Sequence, residues 1–182
     1  MYEIGMILDS IMLPEAGLFL AFIILIIFLW VILRRLKGLK RNLSSLEWGR
    51  LEIVYQSAEM REWRIRLINT DRTNMKDLQA RSDEVLNFFD RIGFWVQKGI
   101  LSKKEIQQSF GTPILGYFSF LVPYIQWLRT EERSPELYLY FEDLNEIVHR
   151  LNRKMDRKRA HPLMEEEELN RFIEEEKSAL SL

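Results

Sequence analysis

The chain has 182 residues, 47% of them hydrophobic and 29% charged, and a formal net charge of -1. It has no cysteine, which excludes disulfides, thiol nucleophiles and Cys-based metal sites, and His149 and His161 are its only imidazoles. Eight scattered glycines form no phosphate-cradling loop, and the length suits one modest domain with an appendage.

The charge is unevenly placed. Residues 1–33 hold no Lys or Arg and three acids, Glu3, Asp9 and Glu15, so 34–182 carries 26 bases against 24 acids. Residues 16–33, AGLFLAFIILIIFLWVIL, form an uncharged run with no Ser, Thr, Asn or Gln. At ~1.5 Å per residue the run just spans a hydrocarbon core of ~30 Å. A secretory signal would carry basic residues before its apolar core and small residues after it. Here the N-terminus is acidic and the run ends at Arg34 and Arg35. A retained transmembrane helix is therefore expected. Arg34, Arg35, Lys37, Lys40 and Arg41 follow it directly, and such residues stay on the cytoplasmic side. The N-terminus should face outward and 34–182 inward, with Trp30 in the interfacial belt.

Leu18, Phe22, Leu25, Leu29, Ile32, Leu36, Leu39, Leu43 and Leu46 are spaced alternately by four and three. Inside the run this spacing carries little information. Beyond it the intervening residues are charged, small or polar, so only the seam stays apolar, as in a short heptad stalk. The pattern suits a parallel homo-oligomer, and equally one amphipathic helix lying on its own domain.

The remainder reads as helix throughout. One helix is expected over 46–68, ending at Asn69-Thr70-Asp71, and another over 74–98 with Gly99 as a left-handed cap. Ser102 and Glu105 have capping-box spacing and open a short helix ending at Gly111. Thr112-Pro113 should start the next, an aromatic helix to about Thr130, kinked by Pro123. Ser134-Pro135 should open a helix with the stripe Leu137, Tyr140, Phe141, Leu144, Ile147, Val148, Leu151 and Met155, ended by His161-Pro162. An acidic tail follows, with Leu169, Phe172, Ile173 and Leu180 at helical spacing. The fold expected is all-α: one N-terminal transmembrane helix, a short heptad stalk and a cytoplasmic helical bundle. The divisions are 1–33, holding the span; 34–72, stalk and first cytoplasmic helix; 73–159, the bundle; and 160–182, the tail.

Two basic groups are candidate ligand sites. Arg150, Arg153, Lys154, Arg157 and Lys158 share a helix face, with Arg159 beside them. Like charges so spaced repel, and phosphate oxygens are the usual partners for Arg forks. Cations also suit a helix C-terminus, and the acidic tail could neutralise them. Arg61, Arg64, Arg66 and Arg72 surround Trp63, a stacking platform for a base; Glu59 and Glu62 among them also fit a solvated surface with local ion pairs. Tyr117, Phe118, Phe120, Tyr124 and Trp127 line either a ligand pocket or, more simply, a buried central helix. His149 lacks the further ligands zinc needs, and no catalytic arrangement is recognisable, so the chain reads as non-enzymatic and without a cofactor.

The stretch from Leu86 to Gly93 (LNFFDRIG), Val96 to Ile100, Phe110-Gly111, Arg129 and Tyr140 to Leu144 (YFEDL) together resemble a family of small bacterial proteins. These have one N-terminal span and a cytoplasmic helical domain of unknown function. The resemblance covers roughly 45–150 and implies a bacterial inner membrane. Proteins of this build also look like anti-phage effectors, among them the transmembrane effectors of Hailong-type defence, channels held shut by DNA oligomers.

The function expected is an oligomeric ion channel or membrane-perturbing effector. Its pore would be lined by Phe22, Leu25, Leu29 and Ile32, with the seam continuing through Leu36, Leu39 and Leu43. A polyanion such as single-stranded DNA or a nucleotide, made by a partner enzyme, would gate it from Arg150, Arg153, Lys154, Arg157, Lys158, Arg61 and Arg64. The alternative is a single-span anchor displaying a helical protein-binding module.

Overall fold

The computed structural model describes residues 3–155 and 163–180, which form seven helices and no strand. They are α1 (Glu3–Gln56), α2 (Ala58–Ile68), α3 (Met75–Arg81), α4 (Asp83–Gln97), α5 (Lys103–Glu131), α6 (Leu139–Met155) and α7 (Glu166–Leu180). The fold is all-α, with one long apolar helix at the N-terminus. The chain divides into two units, one ending at Leu43 and the other beginning at Ser44.

In the first unit, every side chain described from Phe19 to Leu39 is exposed. In the second, α5 is the axis of the core. Phe110, Ile114, Leu115, Tyr117, Phe118, Phe120, Leu121 and Tyr124 are all buried, and from Ile114 to Leu121 α5 is covered on every side. The aromatic group is therefore core, with Trp127 partly buried against it. α6 packs on α4 and α5, while α7 packs on α2 and α5. Phe89 stacks on Phe141 with centroids 5.1 Å apart, and Phe118 meets Phe141 edge-on at 5.2 Å. Such pairs add about 1 kcal/mol each beyond the area they bury.

Two local signals hold. Gly99 has φ 65°, closing α4 in the left-handed region, and the Ser102 side chain accepts from the Glu105 N–H at 3.5 Å. Four boundaries differ from expectation. The helix expected over 46–68 breaks at Ser57, whose hydroxyl donates to the Val54 carbonyl at 2.7 Å and accepts from the Met60 N–H. Ser57 thus ends one helix and caps the next. The helix expected over 74–98 divides at the buried Ser82 into α3 and α4.

No break occurs at Gly111-Thr112-Pro113, and α5 runs through both Pro113 and Pro123. Each proline deletes one backbone bond. Burial of Phe110, Ile114, Leu115, Tyr117 and Phe118 around Pro113 outweighs that loss, at roughly 2 kcal/mol per large side chain. Finally, α6 begins at Leu139 rather than at Ser134-Pro135. The Ser134 hydroxyl donates to Glu136 at 2.6 Å instead of capping a helix, and Tyr138 turns the chain with φ 56°. The expected stop at His161-Pro162 lies outside the described residues.

Candidate interaction surfaces

Among the described residues one helix is long and apolar enough to cross a membrane, and its apolar window is wholly unburied. Phe22, Leu25, Leu29, Ile32, Leu36 and Leu39 are exposed, but so are Ile24, Ile27 and Phe28 between them. Exposure therefore does not single out the seam within the run. Past the run it does, because from Arg34 to Leu39 only Leu36 and Leu39 are large and apolar, at 55% and 66% exposed, among the exposed Arg34, Arg35 and Lys37. The Arg34 guanidinium lies 5.3 Å over the Trp30 ring, a cation–π contact at the end of the apolar run. The Leu43 side chain lies outside the described residues.

The basic face of α6 is only partly described. Arg150 and Arg153 are exposed, with Arg150 Nε donating to the Glu146 carbonyl at 3.3 Å. Arg157, Lys158 and the side chain of Lys154 lie outside the described residues.

In the second basic group Arg64 is buried in the bundle, while Arg66 is exposed and Arg61 and Arg72 are partly so. Arg64 is 5% exposed, its guanidinium 3.9 Å over the Tyr55 ring and its Nε 3.5 Å from Glu176 of α7. Tyr117 donates to the same carboxylate at 2.6 Å. Burial, reinforced by the negative charge of Glu176, pushes the Tyr117 hydroxyl far above the ordinary tyrosine range. Burial likewise raises the Tyr55 hydroxyl, with Glu176 adding to the rise and Arg64 opposing it. Arg61 donates to the Ala179 carbonyl at 3.2 Å, and Arg72 lies 3.4 Å from Glu166. Arg66 pairs with Glu62 and sits 5.4 Å over the Trp63 ring. The acids of the tail thus meet Arg64 and Arg72.

Arg64 with Glu176 and Tyr117 is the polar cluster that sequence reasoning missed. A signal was present: Leu169, Phe172, Glu176 and Leu180 lie along one stripe of α7, so Glu176 holds a place that helical periodicity otherwise gives to an apolar residue.

The residues that carry the resemblance also meet in space. The Phe141 N–H donates to Asp90 at 3.0 Å, so α4 supplies the cap for the start of α6. Burial raises the Asp90 carboxyl, against the lowering by the backbone N–H groups of Phe141 and Tyr140 and by the charge of Arg129. Arg129 lies 2.8 Å from Glu142 and donates to the Leu137 carbonyl at 2.9 Å. A Cβ on Gly93 would lie 2.0 Å from the Tyr140 carbonyl oxygen, so α4 and α6 approach closely only without a side chain there. These motifs are packing determinants. Among the described residues no group of three or more His, Asp or Glu could hold a metal ion.

A family model described as a domain of unknown function, DUF4760, matches residues 21–148. The chain belongs to the DUF4760 family. The DUF4760 region begins inside the apolar run and ends in α6, so it contains Arg61, Arg64, Arg72 and Gly93, whereas α7 lies beyond it. No curated protein and no solved structure matches the chain.

Proposed function

We propose that the chain is a self-associating, single-span protein of the bacterial inner membrane, with its N-terminus outside and 34–182 in the cytoplasm. It acts on the bilayer as an ion channel or membrane-perturbing effector of anti-phage defence. The orientation rests on the basic cluster after Leu33 and the acidic N-terminus. The defence role rests on the sequence resemblance to effectors of the Hailong kind.

One observation carries self-association. Leu36 and Leu39 are exposed among Arg34, Arg35 and Lys37, where the flanking charges hold the backbone out of hydrocarbon. Lipid cannot cover both kinds of residue along one turn, but the same stripe of a second copy can cover the leucines. A pore along this seam would have an apolar constriction and gate by wetting. A parallel assembly would repeat Arg150 and Arg153 around its axis, a ring that repels itself until a polyanion such as single-stranded DNA or a nucleotide neutralises it. Ligand occupancy and subunit packing are then linked.

Crosslinking in membranes followed by denaturing electrophoresis tests the reading. The wild type should give multimers, and Leu36→Asp with Leu39→Asp should give monomers, since each aspartate puts an unpaired charge into an apolar contact. A monomeric wild type ends the proposal. In the same membranes Arg150→Glu with Arg153→Glu should lose bound oligonucleotide and change ion leakage. Multimers without leakage would favour the second reading, an anchor displaying a protein-binding module, for which the Arg64–Glu176 cleft speaks.

A further inference from the structure

α7 meets the bundle along one stripe. Leu169, Phe172 and Leu180 are buried, and Glu176 stands between them in sequence. Its carboxylate accepts from Tyr117 at 2.6 Å and lies 3.5 Å from Nε of the buried Arg64, which is itself held against the Tyr55 ring. Phe172 lies against α5 at Gly116, where a Cβ would come within 2.5 Å of its ring, and meets Tyr117 edge-on at 5.2 Å. An aromatic ring fits at that point only because Gly116 has no side chain. At the two ends of the helix, Arg61 donates to the Ala179 carbonyl and Arg72 faces Glu166.

The cleft is cationic and aromatic, and its occupant is anionic and apolar. Covering the Arg64 guanidinium without supplying an anion is costly, so a helix that fills the cleft must bring an acid to this point. The walls, from Tyr55 to Tyr117, all lie within the family domain of 21–148, and the helix that fills them does not.

We propose that the α2–α5 cleft is a receptor for an acidic amphipathic helix bearing Phe and Glu four residues apart, that α7 is its resident occupant, and that a protein partner presenting such a helix displaces α7. This is helix-in-groove recognition with a buried carboxylate as the specificity element. Because α7 is tethered through 156–162, the partner competes against a local concentration of about millimolar. Binding in trans is therefore weak until α7 is released. The inference is independent of self-association and of any pore.

A protease site placed within 156–162 of the full chain in detergent frees α7 without deleting it. After cleavage, a fluorescent peptide of residues 163–182 should enter the cleft, read as a rise in anisotropy that unlabelled peptide reverses. The Glu176→Lys peptide should bind at least about tenfold more weakly, because it leaves Arg64 without its counter-charge and the Tyr117 hydroxyl without its acceptor. Uncleaved protein should take up much less of either peptide. Arg64→Met should erase the difference between the two peptides; if that variant does not fold, the peptide pair on wild-type protein decides alone. No uptake by cleaved protein, or equal uptake of the two peptides, overturns the proposal. So does finding, in mixed tagged and untagged intact copies, that the copies hold one another's α7, because the occupant is then a second copy.

Discussion

Gly93 shows how much a single missing side chain can decide. With the Tyr140 carbonyl 2.0 Å from where a Cβ would stand, Gly93→Ala must push α6 away from α4 and disturb the Asp90 bond to the Phe141 N–H. Overpacking of this kind costs typically 1–3 kcal/mol, and the backbone contact puts this site at roughly 3 kcal/mol. Urea denaturation should show the loss, and an unchanged midpoint would mean that the two helices do not approach so closely. Tyr117 gives a pH-dependent counterpart. Its folded-state hydroxyl, like that of Tyr55, titrates above the unfolded value of about 10. The sign follows from proton counting: above pH ~10 the unfolded chain releases these protons first, so stability held below that pH falls as pH rises. Tyr117→Phe should flatten the alkaline loss in urea midpoints measured from pH 9 to 11.

The helices divide into those whose ends are written locally and those whose ends are set by packing. Gly99 and Ser102 belong to the first kind, because a left-handed cap and a hydroxyl accepting an orphan N–H are chemistry within a few residues. Ser102→Ala should accordingly cost about 1 kcal/mol in thermal or denaturant unfolding, and a silent substitution would show that α5 does not depend on its cap. Gly111, Pro113 and Pro123 belong to the second kind. By local rules they end or kink helices, yet α5 passes through them because its apolar residues are buried on every side. Ser57 and Ser82 give the opposite error, since serine also sits inside helices and is a weak breaker by type alone; at Ser57 it is the hydroxyl's bonds to Val54 and Met60 that part the two helices. The Arg64–Glu176 pair joins distant parts of the sequence, and neither residue differs in type from its many charged neighbours. Only the interruption of an apolar stripe by Glu176 marked it.

At the scale of the whole molecule, the two units have opposite demands on solvent. Residues 19–33 expose a continuous apolar surface, worth about half a kcal/mol per residue on insertion, whereas the unit from Ser44 onward encloses its own core. A chain of 44–182 should therefore be water-soluble, helical by circular dichroism and cooperative in melting, while the full chain should sediment with membranes. Aggregation of the fragment with loss of helicity would show that the bundle needs the N-terminal helix to fold. The placement of α7 also has a consequence for biosynthesis. Translation proceeds from the N-terminus at roughly 5–20 residues per second, and upstream segments fold first. The apolar helix emerges first, then both walls of the cleft, and only afterwards Phe172 and Glu176. For that interval the nascent chain displays Arg64 and the open face at Gly116 with no helix of its own to cover them, a window in which a chaperone or cognate acidic helix meets no competitor.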